Sequence, residues 1–297
     1  MDETMPCRRP DARELHSLLE GAELAVIGAT LAEIAPLVDR LTGCERLAVV
    51  GKQWWVGDLH SSARTIRTVV LVSGYDKVNA AHSLSCLLEA ACPKLVVQTG
   101  VAGAFLSSGL EVGDLAVASS EIYADLGILA PEGWLSADAL AEPLAVVDGI
   151  ALCNTFPLDP GLVEASARIF RAGHWAGRAP KVAIGPFLTT SQVTGTSAQA
   201  DLLQKRWGGI AESMEGAAAA HVCALYGAPF LQVRGISNLV VDRDRGSWKV
   251  EEAARLAAQA TLMVCDRLDE VLVAYRAAGD DEGANDGDLD GGGPWTP

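Results

Sequence analysis

The sequence predicts a single α/β domain, built on a central mixed, mostly parallel sheet flanked by helices. Three observations carry that expectation. Short apolar runs of strand length recur along the chain. Segments with apolar residues at helical spacing alternate with them. No internal repeat or linker divides the body of the 297 residues, which is expected to span 22–276.

Taken in order, residues 1–21 are polar and read as a flexible N-terminal arm. Leu24-Ala-Val-Ile-Gly28 is a buried strand. Thr30 is placed to cap a helix in which Leu31, Ile34, Leu37, Val38 and Leu41 repeat at helical spacing. Three β-like runs follow at 46–50, 54–59 and 65–73. A helix over 77–91 ends ahead of Pro93. Leu95-Val-Val-Gln-Thr99 is a second buried strand and runs into a glycine-rich turn, 100–105. Another strand is expected at 115–119. Residues 131–149 show no period and read as an inserted loop. Asp159-Pro160 opens a helix to about 171, with proline in the favoured first turn. A strand over 181–190, a short helix after Ser197 and a small-residue helix over 215–226 come next. The last elements are a strand over 230–234 and one long amphipathic helix over 251–276. Residues 277–297 are rich in Gly and Asp and read as a disordered acidic tail.

Composition narrows the function. Hydrophobic residues make up 49% and charged residues 21%, ordinary globular usage. Asp and Glu total 38 against 23 Lys and Arg, a net charge of −15. That excludes a nucleic-acid partner or an anionic membrane surface, both of which need a basic footprint. The tail carries six of the acids, and the body without it is still acidic. An anionic ligand must therefore be met by a few local cations. The seven cysteines form no Cys-x-x-Cys pair and are odd in number, which argues against a metal site or a disulfide frame. With no secretory or membrane-length apolar run, a cytoplasmic location is expected.

In open α/β sheets, ligands sit beyond the carboxyl ends of the strands. Four segments occupy such positions: 28–33, 100–104, 190–194 and 234–238. In the first, Glu33 lies one turn into a helix, where the helix dipole favours negative charge, and it is a candidate general base for water. Thr99-Gly-Val-Ala-Gly103 offers a backbone that a flat ligand can approach closely, through Val101, Ala102 and Gly103. Val193 follows the strand at 181–190. Glu215 starts the small-residue helix and can accept two hydrogen bonds from a vicinal diol. Met214 beside it is core filler or packs on a sugar. Arg234, Ser237 and Asn238 group at the end of the last strand. Arg243 and Arg245 share a charged loop with Trp248, which reads equally as a solvated turn. The turn at 28–33 is neither a P-loop nor a GxGxxG turn, and the chain has no HExxH, Ser-His-Asp order or GxSxG elbow, which removes most support for proteolysis, esterase chemistry and zinc hydrolysis.

These pieces in this order resemble the nucleoside phosphorylase/nucleosidase superfamily. Ile27-Gly-Ala29 with Glu33 looks like the start of its methylthioadenosine/S-adenosylhomocysteine nucleosidases. Thr99-Gly-Val-Ala-Gly103 followed by Val112-Gly-Asp114 matches the central signature. Ser213-Met-Glu-Gly216 and Arg234-Gly-Ile-Ser-Asn238 match the ribose and base motifs. Within the superfamily, 121–127, 190–196 and 236–248 look like the futalosine hydrolase branch. The chain departs from the usual nucleosidase pattern twice, with Asn238 in place of Asp and Val101 in place of Ser.

The resemblance implies a nucleoside phosphorylase-like fold, a small-molecule nucleoside substrate, cleavage at an N-glycosidic bond and a homo-oligomer, with a dimer favoured. It implies no metal or organic cofactor. The residues agree on the base. Adenine presents an amino donor at position 6, whereas hypoxanthine presents a carbonyl acceptor. Asn238 can donate to that carbonyl and accept from N7, so a 6-oxopurine is expected to be preferred by roughly tenfold or more. With Glu33 in the first turn and no Lys or Arg between Gly100 and Ser120, water fits better than phosphate as the attacking group. Futalosine hydrolysis in menaquinone synthesis is the resulting expectation, with Arg243 or Arg245 against the substrate's benzoate. An adenine nucleosidase, a phosphorylase and a non-catalytic nucleoside-binding module remain alternatives.

Overall fold

The computed structural model describes residues 8–175 and 177–283, the side chains of 276–283 excepted. Helix α1 (Ala12–Leu19) leads into β1 (Leu24–Gly28) and α2 (Leu31–Val38). The antiparallel run β2 (Thr42–Val49), β3 (Lys52–His60) and β4 (Thr65–Val72) follows, then α3 (Lys77–Ala90), β5 (Leu95–Ala104) and β6 (Leu115–Tyr123). Two small hairpins come next, β7 (Gly127–Ala130) with β8 (Gly133–Ser136) and β9 (Ala145–Val147) with β10 (Ile150–Leu152). The rest is β11 (Thr155–Pro157), α4 (Pro160–Ala172), β12 (Val182–Thr189), α5 (Ser197–Trp207), β13 (Ala211–Ser213), α6 (Gly216–Tyr226), β14 (Phe230–Leu239), α7 (Val250–Asp266) and α8 (Leu268–Gly283).

The sheet is mixed, with strand order β11-β6-β12-β13-β5-β1-β4-β3-β2. Its centre is parallel, β4 to β1 to β5, and β14 lies parallel to β5. Because β14 also pairs antiparallel with β6, strands β5, β14, β6, β12 and β13 close on themselves. Side chains alternate across β1. Leu24 and Val26 enter a core with α2, α4, α7 and α8, while Ala25 and Ile27 enter a second core with α3 and α6. One α/β domain with helices on both faces results, as the periodicity predicts.

Four expectations need correction. The arm expected over 1–21 is ordered where it is described: Asp11 caps α1, accepting from the Glu14 N–H at 2.9 Å, and Leu19 is buried. Residues 1–7 lie outside the described residues. The loop expected at 131–149 is largely hairpin. Asn154 staples it, accepting from the Ala137 N–H at 2.6 Å and donating to the Tyr123 and Leu126 carbonyls. The strands there are three or four residues long, too short to show a period. The long helix expected over 251–276 is broken at Arg267, and α8 turns to pack on α4. A Cβ on Gly161 would collide with the Ala274 carbonyl, so glycine permits that close approach. Finally, α8 runs on to Gly283, past the boundary expected at 277; 284–297 lie outside the described residues.

Candidate active site

The carboxyl ends of β1, β5, β12, β13 and β14 converge on a pocket of about 250 Å³. Its lining includes Glu33, Val101, Ala102, Gly103, Val193, Met214, Glu215, Arg234, Ser237 and Asn238. Of the residues singled out in the sequence, Arg243 alone lies elsewhere. It lines an adjoining cleft of about 290 Å³ that shares Thr194, Asn238 and Trp248 with the main pocket. Of the two loop arginines, Arg245 is the one that reaches the main pocket. A short 3₁₀ turn over Arg245–Ser247, closed by Asp244 accepting from the Gly246 N–H at 2.9 Å, separates the two directions. Both guanidinium groups rest against the Trp248 ring, at 4.7 Å for Arg243 and 6.0 Å for Arg245.

At one end the pocket is charged. Glu33 is the third residue of α2 and forms a capping box with Thr30, whose backbone N–H donates to Oε2 at 2.8 Å. Oε1 accepts from the Val101 N–H at 3.0 Å. Arg234, 1% exposed, lies between two carboxylates, 3.8 Å from Glu33 and 3.2 Å from Glu215. It also donates to the Val101 carbonyl at 3.3 Å. Glu215 sits at the N-cap of α6 but makes no side-chain cap bond. Its carboxylate turns instead to Arg234 and to the Asp76 N–H at 3.3 Å. Burial pushes the Glu215 carboxyl above the usual range, against the pull of Arg234 and with a further push from Glu33.

The glycines of the central signature have a second use beside the one read in the sequence. Residues 100–104 belong to strand β5 and not to a loop. Gly100 has φ +149°, and a Cβ there would collide with Glu33 Oε1 and Arg234 Nη1. A Cβ on Gly103 would come within 2.9 Å of Asn238 Nδ2. The missing side chains make room for the polar groups that close over β5.

At the other end the pocket is neutral. The pairing of β14 with β5 slips between Ile236 and Asn238, leaving Ser237 as the extra residue of a bulge. The bulge re-aims both side chains. Ser237 Oγ donates to Asn238 Oδ1 at 2.8 Å, and Asn238 Nδ2 donates to the Leu239 carbonyl at 3.0 Å. An amide carries two N–H groups and two carbonyl lone pairs, so one donor and one acceptor of Asn238 remain for a ligand.

Two carboxylates went unread in the sequence. Glu212 lines the pocket and accepts from Thr190 Oγ1 at 3.1 Å and from Thr194 Oγ1, tying the turn after β12 to β13. Burial raises its carboxyl above the usual range. Glu121, fully buried on β6, accepts from Thr189 Oγ1 at 3.2 Å, and its Oε1 has no partner. Burial pushes its carboxyl up to about 8, against the field of Arg234. A Cβ on Gly216 would collide with Glu121, so the glycine after Glu215 was the available signal. Among the described residues no cluster of three His, Cys, Asp or Glu side chains is placed to hold a metal, and no helix is long and apolar enough to cross a membrane.

A mixed sheet wrapped by helices carries acids, one buried arginine and a neutral amide around one pocket, and the proteins it resembles make it an N-glycosidase of the nucleosidase class. The model of the Phosphorylase superfamily matches residues 23–272, and the chain belongs to that superfamily. It is 35% identical over 195 residues to a futalosine hydrolase of Thermus thermophilus, covering 65% of this chain and 78% of that one. It is 29% identical over 248 residues to a 5′-methylthioadenosine/S-adenosylhomocysteine nucleosidase of Oceanobacillus iheyensis, covering 82% and 99%. Among solved structures, the nucleosidase of Neisseria meningitidis in complex with methylthio-immucillin-A superposes with a TM-score of 0.69 at 25% identity, over 83% of this chain and 99% of that one.

Proposed function

We propose that the protein hydrolyses the N-glycosidic bond of futalosine, releasing hypoxanthine and dehypoxanthine futalosine in menaquinone biosynthesis. The observation that carries this reading is the amide of Asn238. Ser237 and the Leu239 carbonyl orient it, and its spare N–H and spare lone pair match the O6 acceptor and protonated N7 of a departing hypoxanthine. Similarity to futalosine hydrolases supports the same choice.

In this reading Glu215 receives the ribose 2′,3′-diol and so positions the anomeric carbon. The bond to the base loosens first, giving an oxocarbenium-like sugar. Asn238 stabilises the charge building on the base, which takes its N7 proton from solvent as the bond breaks, because a neutral amide cannot supply one. Glu33 removes a proton from the attacking water, which completes the new C–O bond. Val101, Ala102, Gly103 and Val193 line the base, and Met214 packs on the sugar. Arg245, from the pocket rim, faces the carboxylate of the 5′ substituent. The enzyme works as a homodimer in the cytoplasm. Exposed Leu129, Val146 and Ile150 on the two hairpins are available apolar surface, and free thiols at Cys223 and Cys265 suit a reducing compartment.

The test is chromatography of the products formed from futalosine, inosine, methylthioadenosine and S-adenosylhomocysteine, with and without phosphate. Hypoxanthine from futalosine alone, independent of phosphate, is the expected result. Adenine release would assign the chain to the adenine nucleosidases. Cleavage that requires phosphate would remove the role given to Glu33.

A further inference from the structure

Asp76, between β4 and α3, has φ 76° and ψ 163°. Glycine takes that conformation freely, and a residue with a Cβ is strained in it. The other described non-glycine residues with positive φ, Val50 and Asp148, each precede a glycine in a hairpin turn. Asp76 has no such excuse, and it stands beside the pocket. Its backbone N–H donates to Glu215 Oε1 at 3.3 Å, while Arg234 holds Oε2 at 3.2 Å. One of the holds on Glu215, beside Arg234 and the Met214 backbone, is therefore a strained peptide.

What keeps Asp76 there is a closed circuit of side chains. Asp76 sits at the N-cap of α3, where its carbonyl accepts from the Ala80 N–H at 3.1 Å but its side chain makes no cap bond. Its Oδ1 accepts from Ser191 Oγ at 2.7 Å. The Ser191 N–H donates to Asp125 Oδ2 at 2.6 Å, and Asp125 Oδ1 takes Lys77 Nζ at 2.5 Å. Lys77 follows Asp76 in the chain, so the circuit closes. It joins three connections distant in sequence: β4 to α3, β6 to β7, and β12 to α5. Neither Ser191 nor Asp125 lines the pocket.

We propose that Ser191 and Asp125 are positioning residues that lock Asp76 in its glycine-like conformation and thereby aim its N–H at Glu215. The inference rests on the reading that Glu215 receives the substrate's diol. Releasing the lock lets the peptide before Asp76 rotate, and Glu215 loses one hold. Substrate binding then weakens while the chemical step is spared. Glycine at position 76 takes the same backbone angles unaided, so its N–H stays in place without the circuit.

The test is steady-state kinetics of the full chain on whichever of futalosine and methylthioadenosine the wild type cleaves, since both carry the diol. Ser191→Ala and Asp125→Ala, which remove a member of the circuit outright, are each expected to raise KM about tenfold with kcat within about twofold, the signature of lost uniform binding. Asp76→Gly should stay within about threefold of the wild-type KM, and Ser191→Ala should add nothing in that background. A wild-type KM in Ser191→Ala overturns the proposal. So does a Ser191→Ala penalty that persists beside Asp76→Gly, which would place Ser191 on the substrate. A tenfold KM rise in Asp76→Gly alone would place the Asp76 carboxylate there instead. Glu215→Gln separates the two levels: an unchanged KM in that variant refutes the diol reading beneath the proposal, whatever the circuit does.

Discussion

The two ends of the pocket are built by opposite means. At one end Glu33 and Glu215 are held by a buried guanidinium, by backbone N–H groups and by a helix start. At the other, Asn238 is a neutral amide oriented by its own neighbours, Ser237 and Leu239. Charge in a low-dielectric pocket interacts strongly with charge that develops during a reaction, so the first end suits rate. A neutral amide discriminates by which hydrogen bonds it leaves unmade, so the second suits choice of base. If this division holds, substitutions at the charged end should cost every substrate alike, in kcat at Glu33 and in KM at Glu215, and substitutions at the amide should redistribute turnover among substrates.

The largest expected effect is at the charged end. Glu33→Gln keeps the size but removes the proposed proton acceptor, and its single amide oxygen keeps only one of the bonds from the Thr30 and Val101 N–H groups. It is expected to lower kcat by about 10² to 10⁴, equally for futalosine and for any second substrate. A drop confined to one substrate would break the division. The next effect is at the amide. Asn238→Asp replaces a donor with an acceptor. The ratio of kcat/KM for futalosine to that for methylthioadenosine should fall by roughly tenfold or more, because the 6-oxo group loses its donor and the 6-amino group gains an acceptor. An equal loss on both substrates would make Asn238 a part of the rate machinery.

The same contrast separates what could be read in the sequence from what could not. Glu33 and Glu215 open helices, Val193 follows β12, and Val101, Arg234 and Asn238 lie toward the carboxyl ends of β5 and β14, so the strand-end rule gathers them without knowledge of contacts. Glu121 and Asp76 depend on partners far away in the chain. Glu121 sits among Thr189, Gly216 and Arg234, which no local pattern connects to it. The break at Arg267 was hidden because amphipathic spacing continues through it, and only the packing of α8 on α4 sets the turn. The strands at 127–152 are too short to carry a period. Arg243 and Arg245 are two residues apart in an exposed loop, and the 3₁₀ turn between Arg245 and Ser247, not composition, decides which one reaches the pocket.

Glu121 sharpens the comparison from beneath the charged end. Its carboxyl is pushed by burial up to about 8 from an ordinary 4.5, so the folded protein favours the protonated form. The unfolded chain releases that proton near 4.5. The favourable contribution of the acid is thus complete below about 4.5 and is lost as pH rises through 8. Between those limits each pH unit costs up to about 1.4 kcal/mol. Wild type should therefore lose thermal stability from pH 5 to pH 8 more steeply than Glu121→Gln, whose amide does not titrate. Melting curves of the two proteins across that range are the measurement. Parallel curves would show that Glu121 is ionised in the fold at neutral pH, and that the charged end holds one more negative charge than its geometry suggests.

The smallest expected effect is at the rim, where neither means is at work. Arg245 and Arg243 are both exposed and both lie against Trp248, but Arg245 alone lines the main pocket. An exposed ion pair is worth about 0.2–1 kcal/mol, which is at most about fivefold in affinity. Arg245→Ala is expected to raise KM for futalosine by that factor, to leave kcat unchanged and to have no effect on inosine, which lacks the carboxylate. Arg243→Ala should change neither. Added salt should narrow the Arg245→Ala difference, because exposed charges are screened within about 8 Å at physiological ionic strength. If Arg243→Ala carried the larger effect, the substrate's carboxylate would have to extend past Asn238 into the adjoining cleft. The amide would then lie midway along the bound molecule, and the assignment of Asn238 to the base would have to be given up.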